Sequence, residues 1–268
     1  MRRLQIERIG DELLAELRYL NAVSGGGTEI ERLPISRGNL AQPLGGELDA
    51  IIACSDLQGV VRAGDGTTQL LGIAVAAAVQ QLAVDGILPP GARTGVVLAG
   101  DLYSAPDASR RGGHGDVSAV WRAFAEHHAW VAGVAGNHDD VSKLGGLERV
   151  HLLDGDVLEL GGVRIGGVGL ISGSRAKPGR RTEADQLARI ARVIDQAPDL
   201  LVLHEGPHGK SPHQRGHAGI HGLVEAGEIG LTVCGHDHWR IPLSAHAAGQ
   251  ILNVDARVVV LVGRATVG

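Results

Sequence analysis

The chain has few aromatic residues, few cysteines and no excess of positive charge, and each shortage excludes a class of protein. Aromatic residues make up 2% of its 268 positions, so it lacks the stacking side chains of a dedicated single-strand nucleic-acid binder. Its two cysteines cannot build a disulfide framework and are typical of a reducing compartment. The net charge of −5 provides no general attraction to nucleic acid or to anionic membranes.

Long hydrophobic runs are also missing. The most apolar stretch, residues 70–84, is shorter than a membrane span. The first twenty residues interleave charges with leucines, a pattern that does not predict a signal peptide. We therefore expect a cytoplasmic protein without a membrane partner, whose length is sufficient for one large α/β domain with a substantial core.

Glycine, by contrast, is abundant, with 41 residues, and indicates many tight loops between short elements. Strand and helix patterns alternate without a linker or a low-complexity segment, which predicts a single domain over residues 1–268 with parallel and antiparallel strands. Strands are predicted at 49–54, 94–99, 130–134, 200–203, 231–234, 251–254 and 257–262, a hairpin at 157–165, and helices at 69–84, 117–128 and 182–196.

The opening segment has apolar residues at helical spacing, namely Ile9, Leu13, Leu14, Leu17 and Leu20. This spacing predicts an amphipathic helix over 9–20 that ends at the glycines 25–27. The helix would belong to an N-terminal extension, residues 1–47, that packs on the domain. Capping the sheet, covering the site and forming a dimer contact all stay open as its role.

Residues of metal-binding types follow five of the predicted strands. Because sites in α/β folds form at the carboxyl ends of strands, we expect these side chains to converge. Carboxylate, carboxamide and imidazole groups together suit Mn, Fe or Zn, and a carboxylate can bridge two ions. Glycine before three of these residues is interpreted as allowing a sharp turn. The residues are Asp56, Gln58, Asp101, Asn137, His138, Asp139, His204, His236 and His238.

Each of these residues has an ordinary explanation when it is taken alone. An Asp after a strand is commonly a helix N-cap, and Gly136-Asn137 by itself is typical of a turn. The agreement of five strand ends favours the functional interpretation. Cys54 and Cys234 adjoin these residues and are interpreted as small buried packing residues.

These loops resemble the signature blocks of the calcineurin-like metallophosphoesterase family, in that family's order. Three blocks match in full: Gly100-Asp101, Gly136-Asn137-His138-Asp139 and Gly235-His236-Asp237-His238. His204 fits a fourth block. The resemblance implies an α/β fold arranged as a four-layer sandwich of two mixed β-sheets flanked by helices. It also implies a hydrolase of phosphate mono- or diesters with two divalent metal ions and a hydroxide bound between them as the nucleophile.

The resemblance further implies a role for each residue. Asp56 and His238 would hold one ion, with Gln58 as a candidate third ligand, Asn137, His204 and His236 would hold the other, and Asp101 would bridge the two. His138 would contact the phosphate together with Asn137 and protonate the leaving oxygen, while Asp139 orients its ring.

Gln58 departs from the family pattern, which has a histidine at this position. A carboxamide oxygen is a weaker ligand for Mn, Fe or Zn than imidazole. Direct coordination by Gln58, its replacement by water and weak occupancy of that ion site all remain open. The expected consequence is a lowered affinity at the ion held by Asp56 and His238.

Two basic loops follow strand-end residues and are expected to reach the substrate, because Arg suits bidentate phosphate contacts. Their candidate substrate-binding residues are Arg110, His114, His208 and Arg215. A third basic loop, residues 175–181, ranks lower because it lies farther from the site in sequence. A solvated surface loop is the alternative in each case.

Three functions compete. A small or nucleotide-like phosphoester substrate is favoured. A nuclease or nucleic-acid end phosphatase is the alternative enzyme, with nucleic acid as a partner that the acidic balance does not favour. A non-catalytic scaffold of the same fold is the alternative from another class, and the presence of His138 and Asp139 counts against it.

Overall fold

The computed structural model describes residues 4–23, 25–62, 64, 66–109, 112–246 and 248–264. Within these ranges the protein is an α/β fold with two large mixed sheets and four α-helices. The helices are α1 (Leu71–Val84), α2 (Ser118–Ala125), α3 (Glu183–Ile194) and α4 (Ala218–Ala226), and a 3-10 turn spans Gly91–Arg93. The strands are β1 (Ile6–Ala22), β2 (Thr28–Leu40), β3 (Ala50–Ser55), β4 (Val60–Arg62), β5 (Thr68–Leu70), β6 (Thr94–Leu98), β7 (Gly115–Asp116), β8 (Trp130–Gly133), β9 (Asp139–Asp140), β10 (Val150–Leu152), β11 (Asp156–Leu160), β12 (Val163–Val168), β13 (Ile171–Ser172), β14 (Arg180–Arg181), β15 (Leu200–Glu205), β16 (Leu231–Gly235), β17 (Leu243–Ala245), β18 (Gln250–Asn253) and β19 (Arg257–Val262).

The strand directions explain where polar loops can meet. The nine-stranded sheet has the order β10-β8-β6-β3-β19-β2-β1-β4-β5, and β3, β6, β8 and β10 run parallel within it. The six-stranded sheet has the order β11-β12-β15-β16-β18-β17, with β12, β15, β16 and β18 parallel. Parallel neighbours end on the same side of their sheet. The loops after β3, β6 and β8 therefore lie together at the carboxyl-terminal end of their strands, and those after β15 and β16 lie together at the corresponding end of the other sheet.

The central strands are buried on both faces, which accounts for their continuous apolar runs. On β3, Ile51 and Ala53 belong to a cluster that also contains Leu200 of the other sheet. Ile52, on the opposite face of β3, lies in a second cluster with Trp121 of α2. A third cluster joins the six-stranded sheet to α3 and α4.

The predicted helix over residues 9–20 is wrong, because this segment is strand β1. It pairs antiparallel with β2, and β2 pairs parallel with β19 in the middle of the sheet. The glycines 25–27 form the hairpin turn, with φ of 104°, 99° and 94°. Tertiary pairing with β2 has overridden the local pattern, as is common for strands.

Irregular register explains why the period of β1 was misread. The pairing with β2 shifts between Ile9 and Leu13 and again between Leu13 and Ala15. Each shift breaks the alternation of side chains that marks a regular strand. Leu17 and Leu20 lie beyond these shifts, in regular pairing on opposite faces of the strand, and both are half-buried. The bulges and the apolar residues on both faces together produce spacings of three and four, which resemble a helix.

Most other predicted elements are present with small shifts of their ends. Thr182 caps α3 as predicted, since its side chain accepts a hydrogen bond from the Asp185 amide at 3.3 Å. The predicted hairpin is the antiparallel pair β11 and β12, with Gly161 and Gly162 at positive φ. Helix α4 had no predicted counterpart. In the described ranges, no helix combines the length and hydropathy needed to cross a bilayer.

Both cysteines are free and fully buried. Burial raises the pKa of the Cys54 thiol to about 12 and raises that of Cys234 as well. These thiols are therefore protonated and inert at neutral pH, in agreement with the packing role predicted for them.

The hairpin's position in the sheet generates a stability prediction. Ile35 of β2 is fully buried, whereas Ile30 of the same strand is 59% exposed. We expect Ile35→Ala to lower the free energy of unfolding by about 2–5 kcal/mol, since it leaves a cavity in the core. The matched control Ile30→Ala should change it by no more than about 0.5 kcal/mol. Urea denaturation measures both, and equally small losses would mean that the hairpin contributes nothing to the core.

Candidate metal centre

Side chains from both sheets converge at one point. Asp101, His204 and His236 each offer a ligand atom, and these atoms all lie within 4.8 Å of one another. The rings of His204 and His236 meet edge to face, with centroids 5.1 Å apart. Asn137 joins them, with its Oδ1 at 3.2 Å from His204 Nε2. One carboxylate, one carboxamide and two imidazoles form a candidate metal-binding cluster.

The ring of His204 is held in a defined orientation. Its Nδ1 lies 2.8 Å from the carbonyl oxygen of Ala99, which can only accept, so Nδ1 carries the proton and Nε2 faces the cluster. Burial disfavours the charged ring, but the Asp101 carboxylate outweighs burial and raises the pKa of His204 to about 10. A divalent ion would replace the proton on Nε2, because both need the same lone pair.

Three of the predicted ligands have a strained backbone, as do six other non-glycine residues of the described ranges. Asp56, Asp101 and His236 have φ of 54°, 55° and 69°, in the left-handed region that non-glycine residues rarely occupy. Such strain costs on the order of 1–3 kcal/mol per residue and is typical of functional sites. The strand-to-loop turns that direct these side chains inward therefore occur at the ligands themselves.

Two of the glycines before the ligands are needed for space rather than for a turn. A Cβ on Gly136 would lie 2.0 Å from Asp101 Oδ1, and a Cβ on Gly235 would lie 2.0 Å from Ser55 Oγ. Both glycines have ordinary φ, unlike Gly100 at 91°. The prediction that a glycine makes each turn is thus correct only before Asp101.

Asp139 joins two loops instead of orienting the ring of His138. Its carboxylate is buried and accepts hydrogen bonds from four backbone amides. His138 Nδ1 instead meets the carbonyl oxygen of Gly113 at 2.7 Å. The expected role of Asp139 is therefore corrected, because its oxygens point into the loop backbones. The four amides are those of Asp101 (2.8 Å), Leu102 (2.7 Å), Tyr103 (3.2 Å) and Gly136 (2.9 Å).

His138 lies at the margin of the cluster. Its Nε2 is 3.9 Å from Asp101 Oδ2, and its backbone amide donates to Asp101 Oδ1 at 2.9 Å. The side chain is 25% exposed, so Nε2 can reach both the cluster and a molecule arriving from solvent.

The other half of the predicted centre is arranged differently. Asp56 is half-buried, and its Oδ2 accepts hydrogen bonds from Ser55 Oγ at 2.5 Å and from the His236 amide at 2.9 Å. Burial raises the pKa of Asp56, and the neighbouring carboxylate of Asp255 adds to this shift. Gln58 presents its amide nitrogen to Asp101 Oδ2 at 3.1 Å, as a hydrogen-bond donor and not as an oxygen ligand.

Asp255 is a site residue that the sequence reasoning missed. Its Oδ1 lies 2.9 Å from His238 Nδ1, which leaves Nε2 of that exposed ring available. A carboxylate in this position fixes the orientation of a ligating histidine. Asp255 comes two residues after strand β18, so the rule that polar residues follow strand ends would have found it.

Of the predicted substrate-binding residues, His208 and Arg215 line one pocket with Asp237, and His114 follows Gly113, which contacts the His138 ring. Arg110 lies outside the described residues, and His114 is exposed. His208 stacks on His221 of α4 with ring centroids 3.8 Å apart. Arg215 is exposed, and its carbonyl oxygen accepts a hydrogen bond from Trp239 at 2.6 Å.

The basic loop that ranked lowest in sequence touches the site. A Cβ on Gly179 would lie 2.4 Å from the Cα of Asn137, so this loop packs directly on a candidate ligand. Arg181 in the same loop is buried and binds both carboxylate oxygens of Asp154, at 2.9 and 3.0 Å. Distance in sequence was therefore a poor guide to distance in space.

The chain matches the calcineurin-like phosphoesterase family over residues 50–240. It belongs to that family. The matched region begins at β3 and ends just after His238, so it contains every predicted ligand and excludes the β1–β2 hairpin. Membership in the family indicates metal-dependent phosphoesterase activity.

Comparison with individual proteins supports the fold alone. The protein TT1561 of Thermus thermophilus has a similar structure, with a TM-score of 0.53 and 17% sequence identity. The similarity covers 77% of this chain and 88% of that chain. No curated protein matches the sequence significantly.

The contacts of Asp139 generate a second prediction. In Asp139→Asn the new NH2 group would face backbone amides that need an acceptor, so we expect a loss of about 1–3 kcal/mol in the free energy of unfolding. Asp140→Asn is the control, because its single amide partner, Ser142, keeps an oxygen acceptor. Chemical denaturation compares the two. An Asp139→Asn protein with unchanged stability and lost activity would restore the ring-orienting role.

Proposed function

We propose that this protein hydrolyses phosphate mono- or diesters at a centre of two divalent metal ions and acts on a small or nucleotide-like substrate. The convergence of Asp101, His204 and His236 within 4.8 Å, with His138 beside them, is the observation that carries the proposal. The family membership supports the same chemistry. A scaffold without catalysis would have no need for the strained ligands or for His138.

The structure offers a full set of donor atoms for one ion and a smaller set for the other. Asn137, His204 and His236 would hold the first ion, and the carboxylate of Asp101 would bridge to the second. Asp56 and His238 would hold the second, with Asp255 orienting the His238 ring. Bound ions supply positive charge to phosphoryl oxygens and lower the pKa of a coordinated water.

His138 would act as the general acid. Its Nδ1 proton is committed to the Gly113 carbonyl oxygen, which leaves Nε2 to carry the transferable proton. As the phosphorus–oxygen bond breaks, the leaving oxygen takes this proton and departs as a neutral alcohol. Asn137 would contact a phosphoryl oxygen beside it. Asp139 serves this step indirectly, by fixing the two loops that carry Asp101 and His138.

The three hydrophobic clusters support a four-layer arrangement. In it, α1 and α2 cover the nine-stranded sheet, the two sheets pack face to face, and α3 and α4 cover the six-stranded sheet. We infer a single domain over residues 1–268, in which residues 1–47 pack on the family's core through the hairpin. Sheet-on-sheet packing then brings the two sets of strand ends together.

Catalysis can be tested with two chromogenic substrates, p-nitrophenyl phosphate and bis(p-nitrophenyl) phosphate, in the presence of Mn, Fe or Zn. We expect turnover of at least one. We expect His138→Ala to lower kcat by about 10²–10⁴-fold on an alkyl ester such as glycerol 3-phosphate, with unchanged metal content, because an alkoxide leaving group needs the lost general acid. The loss should be smaller on the p-nitrophenyl esters, whose leaving group is stable as an anion. His127→Ala, an exposed histidine after α2, is the matched control and should retain activity. Absence of turnover with all three metals would favour the scaffold.

The contacts of Gln58 predict unequal metal sites. Titration of Mn into the stripped protein, followed by calorimetry, should resolve a tight and a weak site. Gln58→His should tighten the weak site, since it exchanges an amide donor for an imidazole ligand. Asn137→Ala should instead weaken the tight one. Two equally tight sites in the unaltered protein would contradict this assignment.

A further inference from the structure

A pocket of about 580 Å³ adjoins the candidate metal centre at His238. It lies between the loop after β15, residues 206–217, and the segment that follows the last family block, residues 238–243. The described residues that line it are Ser211, His213, Gln214, His238, Arg240 and Ile241.

The two walls of this pocket are fastened to each other through a buried side chain. Gln214 is 6% exposed, and its Oε1 accepts from the Ser211 amide at 3.1 Å. Its Nε2 donates to the carbonyl oxygens of Ile241 at 3.1 Å and Leu243 at 3.3 Å. The pocket is thus a built feature, because both walls depend on one satisfied carboxamide.

A buried indole places His238 and Arg240 beside the same pocket. Trp239 is fully buried, and its Nε1 donates to the Arg215 carbonyl oxygen at 2.6 Å. His238 and Arg240 flank it in sequence, and both are exposed and line the pocket. The pocket therefore extends from a candidate metal ligand to a guanidinium group.

The charge of the lining points to an anionic ligand. Its ionisable side chains are His213, His238 and Arg240, with no carboxylate among them. Within the described ranges, Arg240 has no carboxylate at ion-pair distance, so its guanidinium is available to a ligand. Ile241, which is 64% exposed, adds an apolar surface. This positive charge is local, because the chain as a whole has a net charge of −5. The pocket therefore favours an anionic ligand.

An adjacent pocket has a different charge. It lies on the other side of the Ser211–Gln214 loop and is lined by Lys210 and Arg215, but also by Asp237. With neutral histidines, each pocket therefore has one net positive charge. The pocket beside Arg240 is favoured because no carboxylate lines it, so its guanidinium does not share the pocket with an acidic group.

We propose that this pocket binds the part of the substrate that is esterified to the phosphate, and that this part carries a second anionic group, a carboxylate or a further phosphate, recognised by Arg240. The inference rests on the proposed function, because His238 is what joins the pocket to the phosphoester centre. Arg is suited to this task, since its planar guanidinium forms paired charge-assisted hydrogen bonds with either anion.

The test compares matched substrates on the Mn-loaded full chain. 3-Phosphoglycerate against glycerol 3-phosphate tests a carboxylate, and glucose 1,6-bisphosphate against glucose 6-phosphate tests a phosphate. We expect kcat/KM to be about tenfold or more higher for the anionic member of at least one pair, mainly through KM. The pair with the larger ratio identifies the source of the second charge.

Three variants assign the preference to Arg240. Arg240→Gln should bring the two members of each pair to the same kcat/KM, and Arg240→Lys should restore part of the difference. Arg122→Gln, an exposed arginine on α2, should keep the whole difference. A preference that is absent, or that survives in Arg240→Gln, would overturn the proposal.

Calorimetry separates this proposal from the proposed function. The chromogenic substrates decide the phosphoesterase proposal by themselves. If neither member of a pair is hydrolysed, binding of 3-phosphoglycerate and glycerol 3-phosphate to the same protein tests the pocket. Tighter binding of the carboxylate, lost in Arg240→Gln, supports it, and equal binding contradicts it.

Discussion

The buried ring of His204 crosses from the six-stranded sheet to the nine-stranded sheet, where its Nδ1 donates to the carbonyl oxygen of Ala99 at 2.8 Å. This hydrogen bond aligns the end of β15 with the end of β6. The loop after β6 then brings Asp101 beside the ring, while the other ring nitrogen faces the cluster. The spacing is so close that a Cβ on Gly100 would lie 2.8 Å from His204 Nδ1. A shift of either sheet would separate the candidate ligands.

The same convergence buries several carboxylates, which is costly unless they are hydrogen-bonded or paired with positive charge. Hydrogen bonds to each carboxylate offset this cost. Asp139 accepts hydrogen bonds from four backbone amides, and Asp56 accepts them from a hydroxyl and an amide. Asp101 accepts hydrogen bonds from the His138 amide and from Gln58 Nε2. His204 then adds positive charge beside Asp101, which lowers the pKa of that carboxyl although burial alone would raise it. Metal ions would extend this compensation across the whole centre.

The errors of the sequence reasoning have identifiable causes. The β1 segment has the spacing of a helix because bulges in its pairing with β2 disrupt the strand period before Ala15, and because apolar residues lie on both faces after it. Asp139 was assigned to the His138 ring because adjacent residues in a motif were expected to act on each other, whereas its partners are amides up to 38 residues away. Asp255 was missed because no motif contains it. The first two causes lie in contacts between distant segments, which a local pattern does not carry, whereas the position of Asp255 shortly after β18 is visible in the sequence.

What the sequence determined by itself was the chemistry. Ligand types at strand ends, in a family order, predicted the convergence of Asp101, His204 and His236, because the direction of a strand dictates where its loop emerges. Only the tertiary structure decided how those ligands are held. The carbonyl oxygen of Gly113 holds the His138 ring, and Asp255 orients His238. Gln58 donates a hydrogen bond to Asp101. These hydrogen bonds depend on atom positions set by the packing of the two sheets, and no spacing along the chain specifies them.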